Sequence, residues 1–255
     1  MFRHQGKSRT LKHNLQIAVV LSFVAGIVNV TGFLSFTQLT TNVTGHFAQF
    51  IYDVANFEMW KGLIFLLFIV SFLLGSFTSG WLIAKFTENK KLNVYLLPTI
   101  IESSILISLP ILSGVGVLSN DHLIVCFMLF AMGLQNAFVT QISNAVVRTT
   151  HLTGLFTDLG IDVAQLLFLK LHPNQIKLKA NIKLRIYIIL LFFSGGLVGG
   201  FLFVEWNMQL NTLLVAGVIL LFSLFYDDFR YRIIKTKRRF NQRKNGTMGS
   251  KMDDE

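Results

Sequence analysis

Two segments of the sequence share a polar motif that could bind a ligand, Thr-x-x-Thr-Gly followed by an aspartate. Residues 40–55 (TTNVTGHFAQFIYDVA) align without gaps to residues 149–164 (TTHLTGLFTDLGIDVA), and eight of the sixteen positions are identical. So dense an identity indicates an internal duplication. The shared residues of interest are Thr41, Thr44, Gly45 and Asp53 in the first copy, and Thr150, Thr153, Gly154 and Asp162 in the second.

The motif predicts the start of a helix in each copy. The hydroxyls of Thr44 and Thr153 are predicted N-caps, and Gly45 and Gly154 would leave the first turn uncovered. Two such helix N-termini, pointing in from opposite sides, would form a polar centre able to hold an anion or a polar solute. The alternative is that the threonines cap and the glycines permit tight packing, with no ligand.

Three carboxylates are candidates for ion or proton coupling. Asp53 and Asp162 follow the motif in each copy, and a carboxylate at membrane depth is costly and marks an ion or proton path by default. Both could instead face water at the ends of their segments. Glu102 lies in the middle of an apolar stretch and is an independent candidate, although it could pair with Arg148 or a backbone donor.

Other polar residues have simpler roles. Asn29, Gln135 and Asn136 place amides inside apolar stretches, where they are predicted to bond neighbouring helices, and Asn29 and Asn136 could also line the polar centre. The histidines form no i, i+4 pair and have no neighbouring cysteine, so neither a metal site nor a cofactor is predicted. No nucleophile and base are recognisably paired, so an enzyme is not predicted.

The composition predicts the helices that position these residues. Hydrophobic residues make up 53% of the chain and charged residues only 14%, which is too apolar for a soluble domain. A bilayer core about 30 Å thick needs about 20 apolar residues per helix. The sequence therefore predicts an all-α, polytopic membrane protein with six spans, at 15–36, 62–84, 92–113, 122–146, 184–206 and 210–226.

The positive charges predict the orientation. Lysines and arginines cluster in the N-terminus, at Lys85–Lys91, at Arg148–Arg185 and in the tail. Under the positive-inside rule these clusters are cytoplasmic, provided that segments 43–57 and 152–169 enter the membrane and return on the same side. If these polar segments are interfacial helices or tilted spans, the count rises to seven or eight. The juxtamembrane clusters predict contact with anionic lipid headgroups and argue against nucleic acid.

The duplication extends beyond the motif and predicts the organisation of the chain. Gly26 and Asn29 correspond to Gly133 and Asn136, and the small residues 75, 76, 79 and 80 correspond to glycines 195, 196, 199 and 200. These faces are predicted to pack between the two halves, with a homodimer contact as the alternative. Three spans per copy make the copies inverted. The predicted divisions are a basic N-terminus (1–13), two membrane repeats (14–118 and 119–229) and a basic, disordered cytoplasmic tail (230–255).

The chain resembles the YoaK-like integral membrane proteins, a bacterial family without assigned function. The resemblance covers about residues 14 to 228. It rests on Ala25-Gly26-x-x-Asn29, Val43-Thr44-Gly45, Gly133-Leu134-Gln135-Asn136-Ala137 and Thr149-Thr150-x-x-Thr153-Gly154. It implies a protein of the bacterial cytoplasmic membrane and supplies no substrate.

Two functions agree with these patterns. An inverted repeat with buried carboxylates is typical of a small-solute or ion transporter or channel, with its site between the two Thr-x-x-Thr-Gly motifs. The alternative is a non-transporting scaffold or sensor, in which the repeat serves folding and the basic tail recruits a partner.

Overall fold

A computed structural model describes residues 11–86, 96–143, 147, 149–168 and 175–226. Within these ranges the chain is helical and forms no strand, which confirms the all-α prediction. The chain divides into two compact units, Met1–Leu221 and Phe222–Glu255, and every contact described below lies within the first. The helices are α1 (Leu11–Phe36), α2 (Val43–Ala55), α3 (Met59–Phe86), α4 (Leu96–Gly114), α5 (Asp121–Ile142), α6 (Leu152–Phe168), α7 (Gln175–Val204) and, after a 3₁₀ turn at Gln209–Asn211, α8 (212–226).

Six helices of the described residues are long and apolar enough to cross a membrane. They are Ala18–Phe36, Met59–Phe86, Leu96–Gly114, Asp121–Gln141, Gln175–Val204 and Gln209–Tyr226. The protein is therefore a multi-pass membrane protein, with the six spans that the sequence predicts. The largest shift is in α7, which begins at Gln175 rather than at 184. Lysine and arginine are good helix formers whose stems pack along apolar surface, so this helix continues into the basic segment.

The short helices α2 and α6 differ from the six candidate spans in length and in polarity. They contain 13 and 17 residues, fewer than a perpendicular span needs. Each buries an aspartate, Asp53 or Asp162, while large apolar side chains such as Ile51 and Phe156 are exposed. A polar face turned inward and an apolar face turned outward is the pattern expected where the surroundings are lipid. Whether these helices enter and return on one side stays a prediction.

Close glycine contacts join α1 to α7. A Cβ added to Gly26 would overlap the carbonyl oxygen of Phe192, and one added to Gly195 would overlap that of Phe23. Glycine is required at both positions because the backbones approach too closely for any side chain.

The same contact recurs between α3 and α5. A Cβ on Gly75 would overlap the carbonyl oxygen of Phe130, and one on Gly133 would overlap that of Phe72. The prediction that the small-residue faces pack between the two halves is thereby confirmed for both helix pairs, since each pair takes one helix from each copy.

Candidate functional site

The N-terminus of α2 is capped by Asn42, not by Thr44. The Asn42 side-chain oxygen accepts hydrogen bonds from the backbone N–H groups of Thr44 (3.0 Å) and Gly45 (3.4 Å). Thr44 lies inside the first turn, so its prediction as the N-cap is wrong. Asparagine is a better cap than threonine, and it stands at the position from which its side chain reaches these two donors.

The N-terminus of α6 corrects the second cap prediction. This helix begins at Leu152, so Thr153 lies inside the first turn. The preceding residue is His151, whose carbonyl accepts the N–H of Leu155 at 3.1 Å. A Cβ on Gly154 would lie 2.6 Å from His151 Nδ1. The first turn is therefore covered by the imidazole rather than left open, and Gly154 provides the space for that ring.

Two asparagine–threonine pairs connect the long helices to the segments that precede α2 and α6. Asn29 Oδ1 accepts from the backbone N–H of Thr41 (3.3 Å) and from its hydroxyl (2.8 Å). Asn136 Oδ1 accepts from the Thr150 hydroxyl at 2.6 Å. A backbone N–H can only donate, so the orientation of the Asn29 amide is determined and its NH₂ group points away from Thr41.

Adjacent hydrogen bonds anchor the same segments. The Thr40 hydroxyl donates to the Val28 carbonyl at 3.3 Å. In the second copy, Gln135 Nε2 donates to the hydroxyl of Thr149 at 3.0 Å and to the carbonyl of Leu21 in α1 at 3.2 Å. Gln135 therefore bonds a neighbouring helix, as predicted, and each segment is held at two successive threonines.

A cavity of about 910 Å³ lies between these segments. Seven of the eight predicted substrate-binding residues line it, and Gly154 is the exception. Most of the lining consists of residues at equivalent positions of the two copies. These pairs are Asn29 and Asn136, Thr41 and Thr150, Asn42 and His151, Val43 and Leu152, Thr44 and Thr153, and Phe72 and Phe192.

The described lining combines apolar surface with uncharged polar groups. Among the described residues that line the cavity there is no Asp, Glu, Lys or Arg. Its polar groups are amides, hydroxyls and the His151 imidazole, and its apolar part includes Leu39 and the rings of Phe72 and Phe192. Such a surface can donate and accept hydrogen bonds and can cover an apolar part of a ligand.

The predicted coupling residue Asp53 is buried in α2, outside the lining of the cavity. Its side chain is 3% exposed, and Oδ1 accepts a hydrogen bond from Gln49 Nε2 at 3.1 Å. Oδ2 has no hydrogen-bond partner among the described residues. The carboxylate is therefore only half satisfied.

Asp162, the equivalent residue of α6, forms an ion pair with Arg185 of α7. The same guanidinium bonds Asp158, at 3.3 Å to the carboxylate and 3.2 Å to the carbonyl oxygen. Sequence reasoning missed Arg185 because it assigned the residue to a cytoplasmic cluster. The i, i+4 spacing of Asp158 and Asp162, which puts both carboxylates on one helix face, could have indicated a cation partner.

Glu102 is completely buried in α4, and it too lies outside the lining of the cavity. Neither carboxyl oxygen has a hydrogen-bond partner within the described part of the chain. Arg148, its predicted alternative partner, lies outside the described residues. A charge on Glu102 would have no described donor or cation to offset the cost of burial.

His46 lies outside the cavity lining and contacts Leu39, which is part of that lining. Its Nε2 lies 2.9 Å from the carbonyl oxygen of Leu39 and therefore carries the proton, because a carbonyl can only accept. The ring packs edge-on against Phe68, with 5.3 Å between ring centres. Burial lowers the pKa of the His46 imidazole, although the bond to Leu39 opposes that shift. The residue is thus a neutral donor that positions Leu39.

Comparison with known proteins identifies the family. A family described as "Protein of unknown function (DUF1275)" matches residues 17–226, which run from α1 to the end of α8. No curated protein and no solved structure matches the chain. The match is compatible with the resemblance to the YoaK-like proteins but does not confirm that name. Because it covers most of the chain, the protein belongs to the DUF1275 family.

Proposed function

We propose that the protein is a transporter or channel for a small solute or ion, which binds in the cavity between the two Thr-x-x-Thr-Gly motifs. One observation carries the proposal: equivalent polar residues of both copies converge on a single cavity. Sites at the interface of two repeats are characteristic of secondary transporters. The asparagine–threonine pairs also anchor the two segments, whereas Thr44 and Thr153 line the same space without capping their helices.

The proposal includes an inverted arrangement of the two repeats, α1–α4 and α5–α8. Each copy contributes three spans and one short helix, and an odd number of spans reverses the second copy. The reciprocal glycine contacts support this arrangement. Gly26 meets Phe192 as Gly133 meets Phe72, and these residues occupy equivalent positions of the two copies. A pseudo-twofold axis through the cavity would produce this reciprocity, with α2 and α6 entering from opposite sides.

The three buried carboxylates would have different roles in such a transporter. Asp53 and Glu102 each retain oxygens without a donor, and a carboxyl of this kind can exchange a proton or bind a cation. The charge of Asp162 is balanced by Arg185, so we assign it to holding α6 against α7. Coupling would therefore depend on Asp53 and Glu102.

The same proposal places the protein in the bacterial cytoplasmic membrane with both termini in the cytoplasm. The resemblance to a bacterial membrane family and the distribution of Lys and Arg support this orientation. Anionic lipid headgroups would then contact the basic segments on the cytoplasmic side.

Reconstitution tests the proposed function. Purified protein in liposomes should release at least one member of a panel of small neutral solutes, anions and cations faster than empty liposomes do. The double variant Thr44→Val, Thr153→Val should slow that release about thirtyfold, since it removes two cavity hydroxyls worth about 1 kcal/mol each. The control is Thr78→Val, whose exposed hydroxyl bonds the Leu74 carbonyl of its own helix.

The proposal fails on a combined negative result. That result is a protein that moves no member of the panel, together with a double variant that has no phenotype in cells.

A further inference from the structure

We infer that the cavity selects an uncharged polar solute and disfavours ions. This inference rests on the proposed function and names the class of its substrate. The first argument is the absence of charge: the described residues lining the cavity include neither a carboxylate nor an ammonium or guanidinium group. An ion entering such a site would lose hydration without gaining a counter-charge, so its binding is disfavoured.

The second argument concerns the helix N-termini that could otherwise hold an anion. At α2 the N–H groups of Thr44 and Gly45 already donate to the Asn42 side chain. At α6 the ring of His151 covers the first turn at Gly154. At α2 the protein's own side chain therefore occupies the position at which an anion would meet the helix end.

The remaining polar groups suit a solute that both donates and accepts. The Asn29 and Asn136 oxygens are used by Thr41 and Thr150, which leaves both NH₂ groups without a partner among the described residues. The threonine hydroxyls donate in these bonds and retain lone pairs that can accept. Donors and acceptors thus occur in both halves, beside the rings of Phe72 and Phe192.

These features define the ligand by its chemistry. A hydroxylated or amide-bearing molecule without net charge would bond the amides and hydroxyls, and its carbon skeleton would pack on the aromatic rings. A volume of about 910 Å³ accommodates a small metabolite rather than only a dehydrated ion.

Thiol labelling tests the selectivity without knowledge of the solute. The sequence has one cysteine, Cys126, which is buried and would first be replaced by alanine. Thr44→Cys and Thr153→Cys then place a thiol in each half of the cavity. The probes are three methanethiosulfonates of similar size: the neutral hydroxyethyl, the anionic sulfonatoethyl and the cationic trimethylammonioethyl reagent. The control is Val117→Cys, on the turn after α4, where the side chain is 72% exposed.

The neutral reagent should modify both cavity thiols at least about tenfold faster than either charged reagent, after division by the rates at Val117→Cys; tenfold corresponds to about 1.4 kcal/mol. The three reagents attack the same thiol, so its thiolate fraction largely cancels in the comparison. Equal or faster labelling by either charged reagent at both positions would overturn the inference, while the proposed transport function would stand. If no reagent labels either cavity thiol while Val117→Cys reacts, solutes do not reach the cavity and the proposed function fails as well.

Discussion

The two short helices α2 and α6 carry the same aspartate in different electrostatic surroundings. In α2, Asp53 receives one hydrogen bond from Gln49, whereas in α6, Asp162 pairs with the guanidinium of Arg185. The offset that relates Gly75 to Gly195 places Phe65 at the position equivalent to Arg185. Four of the six equivalent pairs that line the cavity are identical, whereas the residue that faces the buried aspartate differs between the copies. The comparison indicates that α6 is held to α7 by charge and that α2 is held to α3 mainly by packing.

Removal of the Arg185 charge should give the largest effect. Arg185→Met leaves Asp162 buried without its partner, and breaking one side of a largely buried ion pair should lower the free energy of unfolding by about 3 kcal/mol. Asp53→Asn, which removes the aspartate charge of α2, should cost less than about 1 kcal/mol because no ion pair is broken. Thermal unfolding in detergent measures both variants.

A second substitution separates charge from packing at this position. Arg185→Met combined with Asp162→Asn removes the unpaired charge and should recover a large part of the lost stability. If the double variant is no more stable than Arg185→Met alone, Arg185 acts through its packing and the electrostatic contrast between α2 and α6 is wrong.

Substitutions at the two helix crossings should lower the free energy of unfolding equally, unlike substitutions in the two short helices. Gly75→Ala and Gly195→Ala each force a methyl group against a phenylalanine carbonyl, and each should cost about 2 kcal/mol. Gly200→Ala is the control, because its Cβ would meet only Val30 Cγ1 at 3.6 Å, an ordinary contact. The same unfolding measurement applies. Unequal losses at Gly75 and Gly195 would count against a symmetric pair of crossings.

Much of the framework could be predicted from the sequence because it depends on composition and on repetition. Apolar length determines the six spans, and identity between the copies marks Thr41 and Thr150 as equivalent residues that meet one cavity. Two residues that sequence comparison missed differ between the copies. Asn42 and His151 stand at one equivalent position and cover the two helix starts, but their difference hides the shared role.

The ion pair between Asp162 and Arg185 could not be predicted from the sequence, for a second reason. Arg185 lies 27 positions after Asp158 in the sequence, on a different helix, and only tertiary packing brings the two together. Burial of the three carboxylates away from the cavity likewise depends on how the helices face one another. The sequence therefore indicated the residues that line the shared cavity, but not the partners of the carboxylates or their position outside that cavity.

The smallest expected effect concerns His46, whose equivalent in the second copy is Leu155. The helix α2 is outside the six spans, and burial there lowers the pKa of His46 below its usual value of about 6.5. The unfolded chain then binds a proton more readily than the folded protein. Stability contributed by the neutral imidazole is therefore present above about pH 6.5 and is lost as the pH falls through the folded pKa, with a slope of at most about 1.4 kcal/mol per pH unit.

His46→Leu introduces the residue of the other copy and tests this difference directly. The variant loses the hydrogen bond to the Leu39 carbonyl, so it should be about 1 kcal/mol less stable than the parent at pH 7.5. Towards acid pH the parent alone should lose the contribution of His46, so the two unfolding temperatures should converge. Parallel curves between pH 7.5 and pH 5 would show that His46 is not the source of an acid-sensitive difference between α2 and α6.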